Sequence, residues 1–232
     1  MNVFAISDLH LTSSVNKPMH IFGEHWVGHF DKIANDWDKK VKEDDIVLIA
    51  GDISWAMTLE EVVPDLEKIA ALKGQKVIIR GNHDYWWSSY SKIRKIAPKS
   101  IHFLQNNAQK FDNFIICGTR GWTVSEDGNF DDPQDKKIFE REIIRLNMSV
   151  NEAKKLYTEG DTIIAMMHYP PFDSDFSDSA FTTIFDENDI PCVIYGHLHA
   201  GKSRFQHVVV KGNTRYILTS CDLIGNELVK VY

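Results

Sequence analysis

Short continuous apolar runs alternate along this chain with segments whose apolar residues recur every three or four positions, the pattern of strands joined by crossover helices. Val3 to Ile6, Ile46 to Ala50 and Val77 to Ile79 are unbroken runs, which suits strands covered on both faces. Between them, Trp26, Phe30, Ile33, Trp37 and Val41 share one helical face, as do Leu59, Val62, Val63, Leu66, Ile69 and Leu72. Thr58 followed by Glu61 reads as a capping box opening the second helix, and Gly74 closes it. Ser88 to Ile96 predicts a third helix, stopped by Pro98.

A strand at Phe114 to Cys117 leads into Gly118 to Asp132, which is rich in Gly, Asp and Ser and predicts a long loop. Pro133 to Leu146 reads as a helix, with a separate one capped by Ser149 and Glu152 and running to Tyr157. Strands return at Thr162 to Met167, Cys192 to Tyr195, Val208 to Val210, Tyr216 to Thr219 and Leu228 to Val231. The acidic, serine-rich stretch from Asp173 to Ala180 reads as a solvated loop. No repeat, low-complexity tract or linker interrupts the pattern, and 232 residues with 43% hydrophobic content suit a single α/β domain.

The chemistry lies where the apolar runs stop. Five polar blocks stand there: Asp8-Leu9-His10, Gly51-Asp52, Gly81-Asn82-His83-Asp84, Met167-His168 and Gly196-His197-Leu198-His199. A lone Asp or His at a strand end is ordinarily a turn former or a satisfied polar group. Five such ends restricted to Asp, Asn and His have no folding reason, whereas these are the oxygen and imidazole donors that suit first-row divalent metals. Side chains two apart on extended chain face the same way, so Asp8 and His10 can reach one ion. In open α/β sheets ligands gather outside the carboxyl ends of the strands.

Charge and cysteine content narrow the setting. A net charge of -7 gives no general attraction to phosphate backbones, so nucleic acid is a disfavoured partner. Cys117, Cys192 and Cys221 are far apart and sit in or beside apolar runs, as buried free thiols do. No apolar run reaches spanning length, and Met1 is followed almost at once by a strand-like run rather than a signal peptide, so the expectation is a cytoplasmic protein without membrane association.

The five blocks, in this order from Asp8 to His199, resemble those of the calcineurin-like metallophosphoesterase superfamily. The resemblance implies an α/β fold, a four-layer αββα sandwich of two mixed sheets flanked by helices. It implies two divalent ions drawn from Mn, Fe, Zn, Ni or Co, the first held by Asp8, His10 and His199, the second by Asn82, His168 and His197, with Asp52 bridging. The implied reaction is hydrolysis of a small-molecule phosphomonoester or phosphodiester by in-line attack of a metal-bridging hydroxide. His83 would act as general acid or steady the phosphate, with Asp84 orienting its imidazole. Arg80 and Arg120 are candidates for bidentate phosphate contacts, against the plainer reading of structural salt bridges. Trp55, Trp86, Trp87, Trp122, Tyr169 and Phe172 lie near the blocks and read mainly as packing, and His20, His25 and His29 as a solvated or wall-lining face. A nuclease of the same superfamily and a non-enzymatic protein-binding scaffold are the alternative readings.

Overall fold

The computed structural model describes residues 1–125, 130–200 and 205–232. Its strands and helices follow one another as β1 (Val3–Ile6), α1 (His29–Lys40), β2 (Ile46–Ile49), α2 (Leu59–Ala70), β3 (Gln75–Ile78), α3 (Tyr90–Ile96), β4 (Ile101–Phe103), β5 (Gln109–Phe111), β6 (Phe114–Thr119), α4 (Pro133–Leu156), β7 (Thr162–Met167), α5 (Ala180–Glu187), β8 (Cys192–Tyr195), β9 (Val208–Lys211), β10 (Thr214–Leu218) and β11 (Val229–Lys230). Two short 3-10 turns, Met19–Phe22 and Glu24–Trp26, lie between β1 and α1.

The strands form two mixed sheets, ordered β11-β1-β2-β3-β4 and β5-β6-β7-β8-β10-β9. Strands β1 to β4 pair in parallel, as do β6, β7, β8 and β10, while β11, β5 and β9 close edges antiparallel. The sheets pack face to face: Val3, Ala5, Ile46, Leu48 and Val77 from the first meet Ile116, Ile164, Met166 and Ile194 from the second. The opposite faces are covered by helices. Ile33 and Trp37 of α1, Val62, Leu66 and Ile69 of α2 and Ile93 of α3 lie on the first sheet, and Leu146, Val150, Phe181 and Phe185 of α4 and α5 on the second. Strands buried on both faces explain the unbroken apolar runs, and the predicted sandwich of two mixed, helix-flanked sheets is present.

Three expectations change. The two helices expected at 133–157 are one, α4, because Ser149 does not cap: its hydroxyl accepts from the Gly118 amide and donates to the Asn107 carbonyl, tying α4 to β6. Trp26 lies in a 3-10 turn before α1, since Gly28 at φ 61° breaks the periodic stretch. Helix α5 follows directly on the acidic stretch, opened by a capping box between Ser179 and Thr182 that uses Thr where the familiar pattern has Glu or Gln. The thiols of Cys117, Cys192 and Cys221 are all free and buried. The loop predicted at 118–132 lies in part, at 126–129, outside the described residues.

Candidate metal centre

The parallel strands β1, β2 and β3 of one sheet and β7 and β8 of the other all finish at the same end of the sandwich, and the five polar blocks follow them there. Asp8 and Asp52 each leave their strand with a left-handed turn, φ 59° and 52°, and His10 and His197 do the same at 45° and 72°. Such backbone costs roughly 1–3 kcal/mol per residue, less for Asp, and persists only where surrounding structure enforces it. The enforcing contacts are specific. The Asp8 carboxylate accepts from Ser7 Oγ at 2.5 Å, Ser220 Oγ at 2.9 Å and the His197 amide at 3.0 Å, which joins β1 to β8 and β10. Gly81 and Gly196 let the blocks close: a Cβ on Gly81 would collide with the Asp52 carboxylate and amide, and one on Gly196 with Ser7 Oγ and Asp8 Oδ2.

Among the described residues, Asp8, His10 and His199 bring ligand atoms within 4.8 Å of one another, and so do Asp8, Asp52 and His168. Asn82 and His197 complete the cluster: Asn82 Oδ1 lies 2.6 Å from His168 Nε2 and 2.9 Å from His197 Nδ1. The lone pairs converge. His168 Nδ1 lies 2.9 Å from the Ala50 carbonyl, which can only accept, so Nδ1 carries the proton and Nε2 presents its lone pair toward Asn82 Oδ1, also an acceptor. His199 Nδ1 lies 3.0 Å from Asp222 Oδ1, and its Nε2 lies 3.4 Å from His10 Nε2 and 3.7 Å from Asp8 Oδ1. Asp52 Oδ2 is buried without a hydrogen-bond donor, 3.8 Å from His10 Nε2 and 3.6 Å from His168 Nε2. Acceptors facing acceptors around a buried carboxylate oxygen are satisfied by cations, and the donor set of carboxylate, amide oxygen and imidazole fits divalent metal.

Electrostatics agree with that fit. Burial, with Asp84 and Asp8 nearby, pushes the Asp52 carboxyl well above its usual range, outweighing the His83 amide and the Arg120 charge that favour the carboxylate. Burial first, then neighbouring histidines, holds His10 well below its ordinary value, and burial carries His168 down to about 3. Both rings are therefore neutral, the form in which imidazole binds metal.

His83 stands beside the cluster, its ring 5.7 Å from that of His10 and 4.4 Å from Trp55, while its amide donates to Asp52 Oδ1 at 2.8 Å. Asp84 differs from expectation. Its fully buried carboxylate accepts from the amides of Gly81, Asp52, Ile53 and Ser54 and from the Trp86 indole. Five N–H donors saturate the lone pairs of a carboxylate, leaving nothing with which to orient the His83 imidazole. Asp84 instead fastens the 51–54 loop to the 80–84 loop. Arg120 stacks over Trp122 at 4.7 Å and lies 3.7 Å from buried Glu142. With Arg80, Arg145 and Glu142 it lines a small recess of about 60 Å³, in which Arg120 and Arg145 both approach the Glu142 carboxylate.

Trp86 and Trp87 are packed under the loops, and Tyr169 lies 4.1 Å from the His197 ring. The His29 ring nitrogens lie 2.8 Å from the Leu9 carbonyl and 3.1 Å from the Trp26 carbonyl, and His25 lines a recess over His10 and His199. Sequence reasoning missed Ser7, Ser220 and Asp222, which hold Asp8 and His199 in place. The signal was available: Thr219-Ser220-Cys221-Asp222 is another polar block at a strand exit.

Comparison with known proteins agrees with this arrangement. The calcineurin-like phosphoesterase family profile matches residues 1–201. A probable cyclic nucleotide phosphodiesterase from Xenorhabdus bovienii (strain SS-2004) is 25% identical over 146 residues, 62% of this chain and 58% of that protein, so the chain matches little more than half the length of that relative. Two solved structures share the fold over nearly all of both chains: TT1561 of Thermus thermophilus, with TM-score 0.63 and 9% identity over 98% of this chain and 96% of its own, and the phosphopantetheinyl hydrolase of Mycobacterium tuberculosis, with 0.59 and 12% over 99% and 95%. With the two-sheet sandwich, the strand-end Asp and His cluster and the family profile in agreement, this chain belongs to the calcineurin-like phosphoesterases, a family of phosphoester hydrolases.

Proposed function

We propose that the chain hydrolyses a phosphomonoester or phosphodiester at a two-metal centre, by in-line displacement at phosphorus. Asp8, His10 and His199 would hold the first ion, Asn82, His168 and His197 the second, and Asp52 would bridge them. The observation that carries this reading is the convergence of the His10 and His168 imidazoles on the donorless Asp52 Oδ2, with Asn82 Oδ1 facing His168 Nε2. When bound, the ion pair supplies Lewis acidity toward the phosphoryl oxygens and lowers the pKa of a water poised to attack.

The chain's own residues set the geometry. Asp222 and the Ala50 carbonyl fix the tautomers of His199 and His168. Asp84 keeps the Asp52 and Asn82 loops in register. His83 is suited to protonate the departing oxygen, because its ring lies beside that of His10. Arg120, whose charge acts on both Asp52 and His168, is suited to draw the phosphoryl group toward the centre.

A manganese-loaded preparation should turn over phosphomonoesters, bis-esters or cyclic nucleotides, the last suggested by the curated relative. Asp52→Asn should lower that turnover by about a thousandfold or more while the circular dichroism spectrum is retained, since it removes the shared ligand. Retained activity in Asp52→Asn would sink the two-metal assignment. His83→Ala should slow esters with poor leaving groups by roughly a hundredfold and activated ones far less. Equal losses across leaving groups would make His83 a phosphate-positioning residue.

A further inference from the structure

A recess of about 290 Å³ opens directly on the metal cluster, bordered by His10, His83 and His199 and walled by Met19, Phe22, Trp26 and Trp55. Most of that wall comes from the 3-10 turns between β1 and α1, a segment the catalytic reading leaves unused. It is held firmly: the Trp55 indole donates to Met19 Sδ at 3.2 Å, His29 Nε2 meets the Leu9 carbonyl at 2.8 Å, and Asn226 donates to the His25 carbonyl at 3.3 Å. Trp55 stacks on the His10 ring at 4.9 Å and 18° and stands 4.4 Å from His83, so one indole links the apolar wall to the centre.

The chemistry of the lining defines what fits. Among the described residues no lysine or arginine lines it, and its one carboxylate, Asp222, is engaged by His199 Nδ1 and the Ala200 amide. The Lys17 ammonium lies over the Trp55 ring at 2.8 Å from its centroid and is outside the lining. Phe22 of the lining is 53% exposed, and Ile21 and Val27 of the same segment are 64% and 55% exposed, which leaves large apolar side chains of this segment in water. Apolar surface contiguous with a reaction centre marks a ligand-binding wall.

We propose that this recess is the leaving-group subsite, and that the alcohol released by the enzyme is apolar and bears a flat ring or a short hydrocarbon chain. The proposal rests on the phosphoester reading above, in which the departing oxygen faces His83. Phosphorus–oxygen cleavage then releases the alcohol into the Met19, Phe22, Trp26 and Trp55 wall, with the proton from His83 on its oxygen and the phosphoryl group on the attacking water.

Two parallel series test it on the manganese-loaded protein. The first is 4-alkylphenylphosphonates, which cannot be hydrolysed, followed by titration calorimetry and by quenching of tryptophan fluorescence. The second is the matching 4-alkylphenyl phosphates, whose leaving groups differ little in acidity. Full burial is worth about fourfold per methylene, so partial burial from phenyl to 4-butylphenyl should raise phosphonate affinity, and kcat/KM of the esters, by at least about tenfold. Phe22→Ala and Met19→Ala should reduce that gain to less than about threefold, while Ile144→Ala, an exposed position on α4, leaves it intact. A flat phosphonate series, or no binding at all, overturns the proposal, as does a flat series with a dimer that Phe22→Ala dissolves, which assigns the rim to a second copy of the chain. Rising phosphonate affinity without turnover of the esters removes their hydrolysis and, with it, the leaving-group assignment, leaving only an apolar recess beside the centre; turnover with flat series upholds hydrolysis and overturns the subsite.

Discussion

Replacing the Asp84 carboxylate with an amide would set an NH2 group against backbone N–H donors that now all point at oxygen. Hydrogen bonds to a buried charge are worth about 1.5–3 kcal/mol each, and several are shared here. Asp84→Asn is therefore expected to cost on the order of 3–5 kcal/mol in denaturant unfolding, a loss reserved for broken buried networks. It should also weaken metal binding, because Asp52 and Gly81 would no longer share an anchor. A loss within about 0.5 kcal/mol, the range of ordinary surface changes, would show that the loops hold without it. This residue also shows what a sequence can and cannot convey. That Asp8, His10, Asp52, Asn82, His168, His197 and His199 cluster could be read from polar blocks at strand ends. Whether a side chain next to a ligand faces the centre depends on the direction it takes after a tight turn, which residue type does not encode. Asp84 thus reads in the sequence as a partner of His83 and is in the structure an anchor between loops.

Among the elements, the junction of α2 and β3 carries an unusual burden. Lys76 is 1% exposed, with its ammonium bonded to the Ala70 and Leu72 carbonyls at the end of α2. Those carbonyls favour the cation, yet burial dominates and lowers its pKa to about 8. Between about 8 and the unfolded value near 10.4, the native state holds fewer protons than the unfolded state, so stability from this group rises with pH. The stability of wild type relative to Lys76→Met should accordingly increase by up to about 1.4 kcal/mol per pH unit above 8, measured by urea unfolding at pH 7.5 and 9.5. A difference independent of pH would contradict the assignment. Elements themselves were legible where one period dominated, as in β1, β2, α1 and α2. They were obscured where a polar residue served tertiary packing: Ser149 looked like a cap and is a tie to β6, and the short strands β4 and β5 carry too few residues for a pattern.

At the scale of the whole molecule, no helix among the described residues is long and apolar enough to cross a membrane. The proposed metal ligands come from both sheets, so binding would be coupled to folding. Chelation should lower Tm and restoration of manganese, nickel, cobalt or zinc should recover it. An ion at a hundred times its Kd stabilises by about 2.7 kcal/mol, which for a chain of this size corresponds to roughly 5–10 °C. Scanning calorimetry with and without chelator measures this directly, and an Asp52→Asn variant should lose most of the shift. A chelator-insensitive Tm would mean that the cluster binds metal too weakly to matter for the fold.

The face-to-face packing of the sheets has a mechanical consequence. Most contacts between them are apolar and without direction, and at the far end the Arg215 guanidinium of β10 donates to the Val231 carbonyl. The polar end is different, since Asp8 reaches across to Ser220 and the His197 amide, and His168 to the Ala50 carbonyl. The sandwich therefore behaves as two plates held most densely at the polar end. A change in core volume between the sheets would be felt there as a shear of the proposed ligand cluster, so packing substitutions between the sheets should alter metal preference as well as stability.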